Sequence, residues 1–237
     1  MTNKVRLTRE TIGVLTNFVD INKSIIFRKG NVIKTISNAE NILAEYTCEE
    51  EFPIDFAIYD LAQFLGTLRL FDSPTLEFDS PDYLTVRDSG KSVRYYFSDP
   101  EITLKSAPDK SVTFPESDIE FTIHNNALLD LQKASKDILN LPDLTFSCQD
   151  EEIRLVLRDK DNDTSNNFKQ KVEGTSNGDL ELDVKMENVR LLDFRKVLVE
   201  SSEPQESFVY STRVSKALIS EWSNERLGLK YYIALEP

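Results

Sequence analysis

The stretch DFAIYDLAQFLGTL, residues 55–68, passes from a short apolar strand directly into a helix. Asp60 stands at the junction and Gln63 follows three residues later, which is the spacing of a capping box at the start of a helix. The turn carries no glycine-rich loop, histidine or cysteine, although such turns in enzymes often hold phosphate-binding or catalytic groups. The stretch therefore predicts a strand and a helix, with no sign of catalysis where they meet.

The strand-to-helix pattern occurs twice, in the same order relative to the strands that follow it. Three pairs of stretches correspond, at offsets of 65, 68 and 71 residues: DFAIYD (55–60) with EFTIHN (120–125), PTLEF (74–78) with PDLTF (142–146), and LTVRD (84–88) with LVLRD (155–159). In this alignment Asn125 takes the place of Asp60 as the predicted helix cap. Because an ordered internal repeat determines the architecture of a chain, we predict two similar halves.

The composition is that of an acidic chain with enough apolar residues for a core. Of the 237 residues 40% are hydrophobic, and the net charge is −13. No apolar run is long enough to span a bilayer, and the N-terminal MTNKVRLTRE lacks the apolar region of a signal peptide, so we expect a cytosolic protein. The negative charge argues against nucleic-acid binding only if it is spread evenly over the surface.

The reactive side chains are too few for a metal centre or a catalytic triad. Cys48 and Cys148 form no CxxC pair, and His124 is the only histidine, beside a predicted helix cap where a structural role is expected. We therefore expect two buried or inert thiols, no metal and no cofactor. The seven glycines form no phosphate-binding motif, so an enzyme is disfavoured.

Periodicity and turn residues predict two helices in each half, among many short strands. In the first half we predict helices over 9–19, capped by Thr8, and from 61, with a hairpin over 24–36 and strands over 41–47, 52–59, 74–79, 82–88 and 91–97. In the second half we predict helices over 126–139 and within 187–194, with strands over 119–125, 143–148, 152–158, 168–174, 179–186 and 195–200 and a hairpin formed by 215–223 and 227–237. Between them, residues 98–118 contain Pro100, Pro108 and Pro115, which predicts an extended connector.

The predicted helices carry small polar or basic residues on their outward faces. The residues expected outside are Arg9, Gly13, Thr16 and Asn17 on the first helix, Gln63, Gly66 and Arg69 on the second, and Gln132, Lys133, Lys136 and Asn140 on the third. The apolar arcs are Ile12, Leu15 and Val19; Leu61, Phe64, Leu65 and Leu68; and Leu128, Leu131, Ala134, Ile138 and Leu139. Two interpretations remain open: ordinary amphipathic helices, or a surface for an anionic polymer.

Several stretches together resemble the sliding clamps of T4-type bacteriophages, the processivity factors of viral DNA polymerases. They are DFAIYDLAQFLGTLRLF (55–71), the repeat, the proline-containing connector and the closing YYIALEP (231–237). The resemblance covers nearly the whole chain. It implies the α+β DNA-clamp architecture, with two similar domains over 1–98 and 119–237, each with antiparallel sheets and two helices, joined by a connector over 99–118.

The resemblance also implies a non-enzymatic function in DNA replication. Three identical subunits would close head to tail into a ring around duplex DNA, without reading its sequence, in the cytoplasm of an infected bacterium. The expected partners are the viral DNA polymerase, the clamp-loader ATPase and the late-transcription machinery, and no membrane. The residues expected to face DNA are Lys4, Arg6, Arg9, Arg69, Lys133, Lys136 and Arg190.

Two further sites follow from the resemblance. The expected subunit interface joins the edge strands KSVRYYF (91–97) and NFKQKVE (167–173), through Val93, Tyr95, Phe97, Phe168 and Gln170. The expected partner site comprises Leu104, Ala107, Pro108, Leu235 and Pro237. The alternatives are a β-rich viral structural or interaction protein without a DNA role, and a monomeric or dimeric processivity factor of the same fold.

Overall fold

The computed structural model describes residues 3–100, 105–162, 164–192 and 208–237. The chain divides into two compact units, and the division falls between Asp109 and Lys110, inside the predicted connector. The first unit also includes Leu227–Leu229, and the second contains the remaining described residues up to Pro237. Among the described residues, no helix is long and apolar enough to cross a bilayer.

In its described residues up to Asp99, the first unit contains two helices and eight strands. The helices are α1 (Arg9–Ile21) and α2 (Leu61–Leu68). The strands are β1 (Lys4–Val5), β2 (Ile25–Phe27), β3 (Gly30–Ile36), β4 (Ile42–Phe52), β5 (Phe56–Ile58), β6 (Thr75–Glu77), β7 (Tyr83–Asp88) and β8 (Lys91–Tyr96). They form two runs of antiparallel strands in the orders β1-β6-β7-β8 and β4-β3-β2-β5.

Both predicted helix starts of the first unit are confirmed. The Thr8 hydroxyl accepts a hydrogen bond from the Thr11 N–H at 3.1 Å, and the Asp60 carboxylate accepts one from the Gln63 N–H at 2.8 Å. Each cap satisfies a backbone donor that the first helical turn would otherwise leave unpaired. The predicted hairpin turn is also confirmed, since Gly30 adopts a φ of +114° between β2 and β3.

The part of the second unit that the structure describes contains two helices and nine strands. The helices are α3 (Asn125–Lys133), which continues into a π-helical turn over Ala134–Ile138, and α4 (Met186–Val189). The strands are β9 (Ile119–His124), β10 (Asp143–Gln149), β11 (Glu152–Arg158), β12 (Phe168–Val172), β13 (Gly174–Ser176), β14 (Leu180–Lys185), β15 (Val209–Ser215), β16 (Ile219–Asn224) and β17 (Leu229–Ala234). Their orders are β12-β11-β10-β14 and β13-β9-β15-β16-β17.

The internal repeat is present in the pairing of the strands. In each unit a strand leads into a helix, and the next three strands pair consecutively, as β6-β7-β8 in the first unit and β10-β11-β12 in the second. β1 pairs with β6 on its other side, just as β14 pairs with β10. The α+β prediction of two similar halves, each with antiparallel sheets and two helices, is confirmed.

The end of the third predicted helix differs from the prediction. The π-helical turn over Ala134–Ile138 adds a residue to the turn and rotates the residues after it, so that Ile138 is 73% exposed although it was predicted in the core. Leu139 is only half-buried. The predicted cap is also wrong, because α3 begins at Asn125 itself, whose N–H donates to the Phe208 carbonyl at 2.9 Å.

Other differences concern strands and the two thiols. β13 and β15 were not predicted, and the predicted strand over 195–200 lies outside the described residues. Described connector residues 105–117 contain no helix or strand, as predicted. Cys48 and Cys148 are both buried and unbonded to each other, which confirms the prediction of buried thiols, and burial raises the pKa of the Cys48 thiol to about 12.

Candidate nucleic-acid interface

The first part of the candidate interface is a shallow groove between α1 and α2. Arg9 and Thr16 line it from α1, and Arg69 lines it from the end of α2. Both arginines are exposed, and Thr16 is half-buried. The four residues predicted to bury the other face of α2 are all buried, namely Leu61, Phe64, Leu65 and Leu68. Burial of that face leaves Gln63 and Gly66 exposed, as predicted.

The outward face of α1 is narrower than we predicted. Gly13 and Asn17 were expected outside, but both are buried. α1 contacts α2 as well as strands β3 and β4, so its buried arc is wider than that of a helix covering a sheet with one face. Arg9 and Thr16 therefore remain as the polar residues of α1 that reach the groove.

Lys4 lies on β1, where it forms a three-residue charge cluster with Glu77 and Arg87. The Lys4 ammonium donates to Glu77 Oε1 at 2.7 Å, and Arg87 Nε donates to Oε2 at 3.0 Å. The Glu77 side chain is 9% exposed, whereas both cations are more than half exposed. The hydrogen bonds from Lys4 and then Arg87 hold the pKa of Glu77 below its ordinary value. The cluster keeps one net positive charge at the surface.

Arg6 follows β1 and is fixed to the turn after α2. Its guanidinium donates to the Ser73 hydroxyl, while the Ser73 N–H donates to the Asp88 carboxylate at 2.8 Å. Hydrogen bonds from the Ser89 hydroxyl and then the Ser73 N–H lower the pKa of Asp88. The charge of Arg6 lowers the same pKa to a smaller extent. Arg6 is thus exposed but lies beside a carboxylate, which reduces its contribution to a positive surface.

In the second unit, Lys133 and Lys136 are exposed as predicted. Lys133 ends α3 and Lys136 lies in the π-helical turn, where a cation is also favoured by the helix dipole. Within the described residues neither lysine forms an ion pair. Gln132, predicted beside them, is buried, because α4 lies there and its Val189 carbonyl accepts a 3.2 Å hydrogen bond from the Gln132 amide.

Arg190 was also predicted to face DNA, but it is half-buried. Its Nε donates to the Ser135 hydroxyl at 3.1 Å, which ties the end of α4 to the π-helical turn. Asp130 and Glu187 add exposed carboxylates to the same helices. The helix faces therefore carry charges of both signs, and their exposed cations are Arg9, Arg69, Lys133 and Lys136.

The strands predicted to join subunits are both free sheet edges within the described part of the chain. β8 ends one sheet and β12 ends another. On β8, Tyr95 packs edge-on against Phe64 at 5.1 Å and Phe97 lies 5.2 Å from Phe56, so both face the interior of the first unit, with Val93 half-buried on the same side. The exposed side chains of β8 are instead Lys91, Ser92, Arg94 and Tyr96, with Tyr59 near the last two.

On β12, the predicted interface residues lie on the less exposed side of the strand. Phe168 and Gln170 are half-buried and share that side with buried Val172, whereas Lys169 and Lys171 are exposed. The Gln170 Oε1 atom is buried and accepts no hydrogen bond from the described residues. Both edge strands thus offer unpaired backbone groups, and their outward side chains are largely cationic.

The predicted partner-site residues are distributed over both units. Ala107 and Pro108 line a cavity of about 300 Å³ in the first unit, against the β2–β3 hairpin. In the second unit Pro237 is exposed, but Leu235 is 6% exposed and its N–H donates to the Leu218 carbonyl. Leu235 is therefore a core residue rather than a pocket surface, and Leu104 lies outside the described residues.

Residues 8–98 match the family of DNA polymerase processivity factors. The chain is 33% identical over 134 residues to the sliding clamp of Vibrio phage KVP40, and 28% identical over 135 residues to that of Enterobacteria phage T4. These alignments cover 55% and 56% of the chain, and 60% and 58% of the two phage proteins. Over rather more than half of its length, the chain is thus similar to the sliding clamps of T4-type bacteriophages.

Solved structures support the same fold over the whole chain. Proliferating Cellular Nuclear Antigen from Entamoeba histolytica superposes with a TM-score of 0.70, at 16% identity and full coverage of both chains. A. fulgidus PCNA, solved bound to the C-terminal region of FEN-1, gives a TM-score of 0.69 at 14% identity and covers 99% of this chain and 98% of its own. At these identities the likeness establishes the clamp fold, which confirms the predicted architecture.

Replacing Glu77 by Gln tests the charge cluster that holds Lys4. Because the folded pKa of Glu77 is lowered, its stabilisation is fully present above the unfolded value and is lost as pH falls through the folded pKa. At pH 7 we expect Glu77→Gln to lower the free energy of unfolding by about 1 kcal/mol, as for a partly exposed ion pair. Urea unfolding at pH 7 and at pH 3 measures the difference between the two proteins.

The difference should shrink as the pH is lowered from 7 towards 3, because the stabilisation by Glu77 is lost as the pH falls through its lowered folded pKa. The matched control is Glu51→Gln, a charge-neutralising change at an exposed site on β4. A difference between wild type and Glu77→Gln that stays constant across this pH range would contradict the assignment.

Proposed function

We propose that this chain is a subunit of a sliding clamp, a ring-shaped homotrimer that encircles duplex DNA and tethers the replicative DNA polymerase. The observation that carries the proposal is the repeated unit itself. In both units a helix buries its apolar face and an exposed cation stands at its C-terminal end, Arg69 after α2 and Lys133 in α3, although the chain as a whole has a net charge of −13. Tethering by a ring needs no catalytic group, in keeping with a non-enzymatic function.

The helix faces suit loose contact with phosphates rather than sequence reading. Sequence-specific binding requires side chains that reach base edges, whereas phosphate contacts alone are independent of sequence. Arg69, Lys133 and Lys136 are long, exposed side chains at helix ends, and the exposed carboxylate of Asp130 stands three residues before Lys133. A few solvated cations hold a polyanion without the strong affinity that would stop the ring from sliding.

Ring closure is supported by the two free sheet edges. A closed ring of identical subunits that meet head to tail joins two different surfaces of the chain. The Phe97 N–H donates to the Asp82 carbonyl at 2.9 Å, and hydrogen-bonded pairs alternate along an antiparallel ladder. The N–H groups of Arg94 and Tyr96 on β8 therefore point away from β7, where β12 of the next subunit would pair with them.

Partner proteins would bind at the connector cavity of about 300 Å³ lined by Ala107 and Pro108. That volume accommodates one or two apolar side chains of a partner peptide. We assign this site to the polymerase in the first place. The clamp-loader ATPase and the late-transcription machinery would be further partners. The site of action would be the cytoplasm of the infected bacterium.

The number of subunits tests the ring. Gel filtration with light scattering should give three times the 27.2 kDa mass of the chain. Arg94→Pro should shift the protein to a single-copy mass, because proline removes the outward N–H without breaking the β7–β8 ladder. The matched control, Arg94→Ala, loses the same contact with Tyr83 but keeps the N–H and should remain trimeric. A single-copy mass for wild type would contradict the ring.

The proposed contact of Lys133 and Lys136 with DNA phosphates is tested by neutralising both lysines together. In Lys133→Gln/Lys136→Gln, the slope of log binding constant against log salt should fall by roughly 1 to 2, since each lost phosphate contact removes about 0.9. Fluorescence anisotropy with a short labelled duplex measures it. Lys110→Gln/Lys230→Gln changes the net charge equally at exposed sites away from the helices and should leave the slope unchanged. Equal slopes for both double variants would contradict the assignment.

A further inference from the structure

We infer that residues 105–109, the start of the connector, form an ionic strap that closes the cavity in the first unit and opens as ionic strength rises. The strap lies over a cavity of about 300 Å³ whose opposite wall is formed by the β2–β3 hairpin, including Ile26 and Val32. The inference rests on how the strap is held, by hydrogen bonds and ion pairs to the hairpin and its neighbours.

Lys34 on β3 provides the most sheltered of these contacts. Its ammonium donates to the carbonyls of Pro108 at 3.3 Å and Asp109 at 3.1 Å. The same ammonium pairs with Glu45 on β4 at 3.1 Å, and both side chains are nearly buried, at 14% and 13% exposed. Lys34 is therefore held in place from the sheet side whether or not the strap is seated on it.

The other two contacts are solvent-exposed ion pairs. Arg28 donates to the Asp109 carboxylate at 3.1 Å, and it is shared with Asp55, also at 3.1 Å. Lys105 pairs with Glu40 at 2.6 Å and donates to the Asn38 carbonyl at 2.9 Å. Arg28 keeps Asp55 as a partner when Asp109 leaves, so release of the strap does not leave the Arg28 guanidinium unpaired.

Apolar packing contributes little to holding the strap. Its apolar residues among 105–109 are Ala107, which is half-buried, and Pro108, which is exposed. Beneath them the cavity leaves wall atoms without close neighbours, so the dispersion attraction that normally fixes a loop is largely absent. The later part of the connector differs, because the Phe114 ring packs under the Arg213 guanidinium at 4.5 Å.

Salt should therefore act selectively on the strap. Exposed charges attract over a distance that shrinks from about 10 Å at 0.1 M salt to about 3 Å at 1 M, while sheltered pairs are screened much less. The Arg28–Asp109 and Lys105–Glu40 pairs are exposed and weaken, whereas the Lys34–Glu45 pair persists. The strap lifts while the strands beneath it keep their structure, and the cavity opens.

Access to the cavity can be measured as the reactivity of a cysteine placed in its wall. Ile26 is half-buried between buried Ile25 and Phe27 on β2 and lines the cavity, so Ile26→Cys reports opening. The native thiols Cys48 and Cys148 are buried and give a slow background rate. The probe is N-ethylmaleimide, which is uncharged, at constant pH. Glu49→Cys, at an exposed site on β4, corrects for the effect of salt on the reaction itself.

We expect the corrected rate of Ile26→Cys to rise about three- to tenfold between 0.05 M and 1 M salt, as expected for the loss of two exposed ion pairs. Adding Lys105→Gln/Asp109→Asn should give the fast rate already at 0.05 M and remove its salt dependence. The matched control is Lys110→Gln/Asp79→Asn, which neutralises one exposed cation and one exposed anion outside the strap and should behave as the parent.

A rate that responds neither to salt nor to Lys105→Gln/Asp109→Asn would overturn the strap. The inference bears on the proposed function only in that the cavity is where we place partner peptides. The assay requires no DNA and no partner, so a negative result would not contradict the proposed ring. In the same way, a single-copy mass would not contradict the proposed strap.

Discussion

The structure of the first unit depends on the junction between β5 and α2, where three separate contacts fix the direction of the helix. The Asp60 carboxylate caps the helix, the Leu61 N–H donates to the Lys23 carbonyl at 2.8 Å, and the Tyr95 hydroxyl donates to the Asp60 carbonyl at 3.2 Å. With its start held in this way and Phe64 buried beneath it, α2 exposes only its polar side. Because Tyr95 belongs to edge strand β8, the same contacts link the candidate DNA face to the candidate subunit edge.

The second unit reaches the same arrangement through different contacts. α3 has no side-chain cap, and its first N–H is satisfied by the Phe208 carbonyl next to β15. Its far end is tied to α4 through the Gln132 amide and the Arg190 guanidinium. The two units share the arrangement of helix and strands but not the contacts that hold the helix in place. We therefore infer that the exposed polar face of the helix is the feature common to both units, and in both it carries accessible cations.

Local signals in the sequence were sufficient for the fold and for part of the candidate site. The capped start and apolar spacing of α2 predicted its first residue and all four of its buried residues. The exposure of Lys133 and Lys136 was predicted correctly from the same helical spacing. The cap at Thr8 likewise located the start of α1.

The errors arose where a second element covers a helix or interrupts it. A helical wheel assumes one buried side, so it missed the burial of Asn17 against a second neighbour and of Gln132 beneath α4. Nothing in the local sequence signals the π-helical turn that exposes Ile138. The contacts of Arg190 and of the strap residue Asp109 join positions far apart in the chain, and a single sequence contains no direct record of such pairs.

Encirclement of DNA is tested most directly by asking whether free DNA ends control the release of the protein. A linear duplex is incubated with the protein, its ends are then blocked by bulky groups or left open, and bound protein is measured after a wash in salt high enough to abolish phosphate binding. A topological ring predicts retention on duplexes blocked after incubation, loss from open duplexes, and little loading on duplexes blocked beforehand. Equal retention on all three would contradict encirclement.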